Sequence, residues 1–254
     1  MSSSLSRRKL ITTGLATAAG VSGLGVAAVL AQHYGLIPPD HGGIFGAGET
    51  LTYAAQRILT SGHSLAREFN RSEISKVAFV NGKPPQNEAY QRHVAGGFAD
   101  WRLTVDGLVA RPSSFSLADL KRFPARNQIT HQACEEGWSF IAEWIGVPLS
   151  TVLNFVGVKT QAKYVVYYSF DGFWWDSIDM GDAWHPQTFL AYGMNGGELP
   201  VDHGAPVRMK IARQLGYKSV KYISHITATD SMKHIGDGQG SPAPAAGYSW
   251  YAGI

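Results

Sequence analysis

A single cysteine, Cys134, serves all 254 residues, and that scarcity removes several protein classes at once. One thiol cannot build a disulfide framework, a multi-cysteine zinc site or an iron–sulfur cluster. No H-x-x-x-H or H-x-x-H pair is present to gather a metal from histidines alone. Charge is scarce too, at 16% Asp, Glu, Lys and Arg, with no block of like charges to mark a nucleic-acid arm or an acidic tail. Heptads and short-period repeats are missing, and the only compositionally biased tract is DGQGSPAPAAG, residues 237–247.

What is there begins with MSSSLSRRKLITTGLATAAGVSGLGVAAVLAQ. Paired Arg7 and Arg8, a weakly apolar Gly- and Ala-rich run, and the small residue Ala31 have the layout of a twin-arginine export signal over residues 1–31. Gly14, Gly20, Gly23 and Gly25 make that run a poor membrane span. The expected location is therefore the periplasm, with membrane association if the leader is retained. Without Arg7, Arg8 and Lys9, Lys plus Arg falls from 22 to 19 and equals the 19 acidic residues. A chain so close to neutrality, with no reading motif, argues against nucleic acid as a partner. Twin-arginine export carries folded cargo, commonly with a cofactor already inserted, so a cofactor is the first thing to seek.

The roughly 220 residues beyond the leader suffice for one substantial core. Residues 32–96 read as an irregular extension packed on that core, although TLTYAAQRILTS has apolar positions at helical spacing. GIFGAG is not a phosphate loop, because Leu51 stands where the third glycine belongs and no strand precedes it. Residues 97–235 form the principal domain and 236–254 a C-terminal tail. Within that domain WRLTVDGLV alternates as a half-buried strand, NQITHQA runs as a strand into Cys134, and AKYVVYYSF is apolar enough to be buried on both faces. FWWDSIDM, TFLAYGM, APVRMKIA and VKYISHITATD add four strands, with NGGELP as a turn. Ser116 and Asp119 form a capping box for a short helix ended by Pro124. Pro148 opens a second helix with Leu149, Val152, Leu153 and Val156 on one face. Strands without regular helical crossovers predict an α+β fold of mixed sheets with short helices.

A lone cysteine is commonly a small core residue. Cys134 differs in position: it ends a strand and is followed by EEGWS, loop material with two carboxylates, and strand-to-loop junctions are where sites are built. An exported free thiol is also exposed to oxidation unless something protects it, and metal coordination does so. His131 and Cys134 make an H-x-x-C pair, too few ligands for tetrahedral zinc. A metal needing one protein thiolate, with its remaining ligands brought by a cofactor, fits this inventory; molybdenum on a pterin dithiolene is such a case.

CEEGWSFIAEWIGVPLSTVL, AKYVVYYS and HGAPVRMKIARQLGYKSVKYI resemble, in order and spacing, the molybdopterin-binding domain of the sulfite oxidase superfamily. The likeness is strongest to the branch of periplasmic protein-methionine-sulfoxide reductases. It implies a Mo-molybdopterin enzyme with Cys134 as metal ligand and catalytic centre. It further implies cofactor contacts from Ser169, His203, Arg208, Ser219, Val220 and Lys221. Lys218 reads either as part of the same phosphate-holding turn or as a solvated strand-end charge.

Departures from the pattern sharpen the reading. The reductases' Asn-x-Phe-Tyr element has no counterpart, since Phe69 and Asn70 stand in the wrong arrangement. Where sulfite oxidases follow their cysteine with a basic segment, this chain has Glu135 and Glu136, which repel an anion; Arg102, Arg126 or Arg213 would have to supply positive charge instead. Trp138, Trp144, Trp174, Trp175 and Trp184 are expected around the core and pocket. DGFWWDSIDMGD lacks the ligand spacing of a calcium loop. The expected activity is oxygen-atom transfer or reduction of an S- or N-oxide, in a monomer fed by a separate electron-transfer partner such as a membrane cytochrome. Sulfite oxidation and a non-catalytic exported binding module are the alternatives.

Overall fold

The computed structural model describes residues 31, 35–42, 45–60 and 64–254. The leader, apart from Ala31, lies outside the described residues. Two sheets dominate. The first has the order β2-β1-β10-β5-β6, from Ser113–Ser116 (β2), Arg102–Gly107 (β1), Ile223–Thr229 (β10), Tyr164–Ser169 (β5) and Trp175–Asp179 (β6). Its β1–β10 pair is parallel and the rest antiparallel. In the second sheet, Arg126–Ala133 (β3), Ser139–Pro148 (β4) and Thr188–Met194 (β7) run side by side. The free edge of β7 is then shared by the short hairpin strand Gly197–Glu198 (β8) and by Arg208–Ile211 (β9). The expected α+β class holds.

The core lies between the sheets. Leu103 and Val105 face inward from β1 while Arg102 and Thr104 face solvent, the alternation that a half-buried strand requires. Val165, Val166 and Tyr167 of β5 are all fully buried, as their continuous apolar run predicts. Helix α4 (Leu149–Val156) lays Leu149, Val152, Leu153 and Val156 into this core, each burial stabilising by about 1.5–3 kcal/mol. It ends at Gly157, whose φ of +66° suits glycine, with Val158 N–H reaching back to Leu153 O at 3.0 Å. Helix α3 (Leu117–Arg122) has the expected capping box, Asp119 N–H donating to Ser116 Oγ at 3.1 Å.

One expectation needs correction, and the structure adds order that the sequence did not signal. The extension is not irregular: it carries helix α1 (Gly46–Leu59) and helix α2 (Glu88–Ala95). From α1, Tyr53 OH donates to Asp179 Oδ2 at 2.6 Å and Arg57 pairs with Asp179 and Asp182. From α2, the fully buried Tyr90 donates to Ala205 O at 2.6 Å. The C-terminal tail is likewise part of the core, because Trp250 is 1% exposed and donates through Nε1 to Ser177 Oγ at 2.8 Å. Strand β4 was hidden in the sequence because both its faces are covered, so no alternation marks it. Of the tryptophans, Trp144 is core, whereas Trp184 is 39% exposed.

Strand β4 is held against β7 at a register shift between Ile145 and Gly146. A Cβ on Gly146 would lie 2.1 Å from Leu190 O, a contact with backbone that no rotamer relieves. Gly146→Ala is expected to cost at least about 1–3 kcal/mol, as overpacking does, read as a lower denaturation midpoint by urea titration. An unchanged midpoint would show that the two strands can part without penalty.

Candidate cofactor site around Cys134

Strand β3 ends at Ala133 and the chain turns back into β4 through Cys134–Trp138. Gly137 N–H donates to Cys134 O at 3.1 Å and Cys134 N–H to Trp138 O at 3.0 Å. Gly137 permits the turn with φ of +90°. Because strand side chains alternate, Gln132 and Cys134 share one face and His131 turns to the other, where it lies 6.4 Å from the Phe69 ring. The H-x-x-C pair is thus an accident of sequence. Cys134 is 8% exposed and its Sγ donates to Glu135 Oε2 at 3.0 Å. Burial pushes the thiol up to about 12, with both neighbouring carboxylates adding to the rise and the Glu136 amide opposing it.

Cys134 forms one wall of a cavity of about 460 Å³, within the size range of small-molecule sites. Ser169, His203, Arg208, Ser219, Val220 and Lys221 line the same cavity, so the structure brings together all seven residues named from sequence. Ser169 closes β5, its Oγ donating to Asp171 Oδ1 at 2.7 Å and accepting from Trp174 N–H at 3.1 Å. His203 ends the 3₁₀ turn Val201–His203, and burial, then Arg208 and Lys221, lower its pKa to about 4. Arg208 opens β9, 4% exposed, donating to His203 O at 3.0 Å and Ser219 O at 2.8 Å, with its guanidinium 5.0 Å from the Trp144 ring centre. Burial lowers its pKa to about 10. Ser219 Oγ accepts from Ile211 N–H at 3.2 Å. Lys221 Nζ donates to Asn81 O at 2.6 Å and Asp202 O at 2.9 Å, and burial beside Arg208 lowers it to about 8.

Other candidates fall away from this cavity. Lys218 is neither solvated nor cavity-lining: it is fully buried, paired with Asp176, with Nζ 5.1 Å from the Trp250 ring. Arg102 bonds to the carbonyls of Ala99 and Trp101, Arg126 lies 3.8 Å from Glu68 and Arg213 pairs with Asp182, so none supplies charge to the cavity. Asn70 caps the turn Arg71–Glu73. In place of Phe69 and Asn70 the extension presents Phe79, Asn81 and Lys83 to the cavity, and the tail presents Tyr248. Sequence reasoning also missed Gln132, whose only signal was its parity with Cys134, and Tyr222, which lies within the third motif but was not singled out.

The chemistry of these walls fits a molybdenum–pterin group. Arg208 is a buried cation with carbonyl partners and no carboxylate among the described residues, an arrangement that favours an anionic occupant. Tyr222 is 5% exposed and its hydroxyl has no partner among the described residues. The backbone amides of Val220 and Lys221 donate to no described acceptor. A thiol, an uncompensated guanidinium and unspent donors therefore converge on one space.

A family model described as the oxidoreductase molybdopterin binding domain matches residues 91–235. A putative protein-methionine-sulfoxide reductase subunit YedZ1 from Azospira oryzae is 39% identical over 155 residues, 61% of this chain and 56% of that protein. The protein-methionine-sulfoxide reductase catalytic subunit MsrP of Ralstonia nicotianae is 32% identical over 147 residues, 52% of this chain and 44% of that one. The chain thus spans about half the length of the curated relatives it matches. Among solved structures, the sulfane dehydrogenase SoxCD of Paracoccus pantotrophus aligns with a TM-score of 0.50 and 27% identity, covering 54% of this chain and 41% of its own. Since the family match takes in Cys134 and the six residues that share its cavity, the chain belongs to the oxidoreductase molybdopterin-binding domain family.

Proposed function

We propose that this chain is an exported molybdenum–pterin oxidoreductase that reduces an S- or N-oxide, oxidised methionine residues foremost, with electrons from a separate protein. The observation that carries the reading is the placement of Cys134 in one cavity with a buried arginine that has no carboxylate partner. Cys134 would hold the metal. Arg208 and Lys221, with the backbone amides of Val220 and Lys221, would hold the anionic end of the pterin, and Ser169 and His203 would meet its polar edges. When bound, the group supplies two-electron chemistry. The chain's share is to hold it, to exclude water and to shape the entrance; Glu135 Oε2 accepts the hydrogen bond of the thiol.

The entrance supports a neutral oxide carried on a polypeptide. Phe79 stacks on Trp138 at 4.8 Å and is 47% exposed, and Phe173 and Tyr248, exposed by 85% and 40%, line the same cavity. Aromatic faces suit a methionine side chain. Glu135, in contact with Sγ, and Glu136 beside it disfavour sulfite at the thiol end of the cavity by like charge. Reduction of a sulfoxide to a thioether takes up two electrons and two protons and releases water, so the reaction needs a donor but no further substrate.

The test is molybdenum per chain on protein made in a host that synthesises molybdopterin, followed by oxidation of reduced viologen with methionine-sulfoxide peptides. Wild type should carry about one metal through its single thiolate and Cys134→Ser should lose activity. Well-folded wild type without molybdenum would overturn the reading. Among peptides of equal length, those with lysine beside the sulfoxide should have higher kcat/KM than those with glutamate, the difference shrinking as salt rises.

His203 gives a pH test. The unfolded chain protonates this histidine near 6.5, the folded one only near 4. Between these values the unfolded state binds more protons, so stability falls as pH drops from about 6.5 to 4 and is unaffected above. His203→Asn should remove about 1–3 kcal/mol of that acid loss in denaturation of cofactor-free protein at pH 7 and pH 4.5. Equal losses in both proteins would show that His203 titrates normally.

Export rests on the sequence of the leader. Replacing Arg7 and Arg8 together by lysine is expected to leave the protein in the cytoplasm, checked by cell fractionation; periplasmic recovery of that variant would refute the twin-arginine route.

A further inference from the structure

Gln132 is 3% exposed, lines the cavity, and lies two residues before Cys134 on the same strand face. One end of its carboxamide is spoken for. Lys210, fully buried on β9, donates through Nζ to Gln132 Oε1 at 2.7 Å and to His131 O at 2.9 Å. An ammonium has donors only, so with Lys210 Nζ donating to both oxygens the amide oxygen faces Lys210 and the NH₂ faces away. That NH₂ has no acceptor among the described residues.

Gly216 shows where the NH₂ lies. A Cβ built on Gly216 would sit 2.8 Å from Gln132 Nε2, 3.1 Å from Ala133 O and 3.7 Å from Cys134 Cα. The amide nitrogen and the cysteine backbone therefore flank the same small space, which a residue without a side chain keeps open. Gly216 and Gln132 both line the cavity. The side chain is nearly buried, and its unspent donor opens onto the cavity, beside the proposed metal ligand.

We propose that Gln132 is a cofactor-facing hydrogen-bond donor and that Lys210 is the positioning residue that fixes its NH₂ end toward the bound group. The occupant it fits is an acceptor atom of the molybdenum–pterin group next to Cys134, and the inference rests on the reading that this group fills the cavity. Arg208 and Lys210, both on β9 and both over the Trp144 ring, then divide the work. Arg208 answers the charge of the cofactor, while Lys210 acts at one remove by choosing which face of an amide the cofactor meets.

The test uses full-length protein loaded with molybdopterin, in four forms: wild type, Gln132→Leu, Lys210→Met and the double variant. Readouts are the Mo(V) electron paramagnetic resonance spectrum, the rate of pterin release on dilution, and Tm. Loss of one hydrogen bond should speed release about 2- to 10-fold in Gln132→Leu and alter the Mo(V) spectrum. Lys210→Met should change both in the same direction, and the double variant should release no faster than Gln132→Leu alone, because Lys210 acts through Gln132. Wild-type spectrum and release in folded Gln132→Leu, or additive effects in the double variant, would overturn the proposal. If Gln132→Leu does not fold, Gln132→Glu keeps the shape and the Lys210 contact while replacing the NH₂ by oxygen; it must still release faster, and wild-type release there overturns the proposal equally. Wild type that takes up no molybdenum refutes the cavity's occupant, and this inference with it, whereas loaded wild type with unaltered variants refutes Gln132 alone.

Discussion

Arg208 joins the two turns that wall the cavity. Its guanidinium donates to His203 O, in the turn before β9, and to Ser219 O, in the turn after it. The backbone reinforces the same closure, with Met209 N–H donating to Val220 O and Ile223 N–H to Val207 O. Charge and geometry are therefore supplied by one side chain. A guanidinium has five donors in a fixed fork, and those spent on carbonyls hold the loops while its net charge stays uncancelled. Shortening it would leave buried carbonyls without donors as well as removing the cation, so the shape of the cavity and its preference for an anion are not separable properties.

A second set of buried charges positions the frame without touching the cavity. Asp179 and Asp182 receive Arg57 and Tyr53 from α1, and Asp182 also receives Arg213. Asp176 receives Lys218, whose carbonyl in turn accepts from Tyr167 OH at 2.8 Å. Buried ion pairs contribute little net stability once desolvation is counted, yet removing one partner is costly. Their effect here is registry: the extension is pinned to β6, and the turn that ends at Ser219 is pinned to β5 and β6.

Much of this was legible in the sequence, for identifiable reasons. Strand β1 alternates, β5 is continuously apolar, and the capping box at Ser116 and Pro148 mark where their helices begin by local chemistry alone. The cavity residues were legible only through three motifs in register, since nothing intrinsic to Ser169 or His203 signals a pocket. Strand β4 was not legible, because Glu143 and Trp144 are both buried on adjacent positions and erase the period of two. Lys218 was ambiguous because its partner lies 42 residues away. Phe79, Asn81 and Lys83 were invisible for the same reason: their role is set by where tertiary packing lays the extension, and no local pattern encodes that.

The walls of the cavity come from five widely separated stretches: Phe79–Lys83 in the extension, Gln132–Phe140 around the cysteine, Ser169–Trp174 after β5, Asp202–Tyr222 across the arginine loop, and Ala246–Tyr248. No one stretch makes the enclosure by itself, so the cavity is a property of the finished fold: a substitution that loosens any one of these segments opens a wall for all the others.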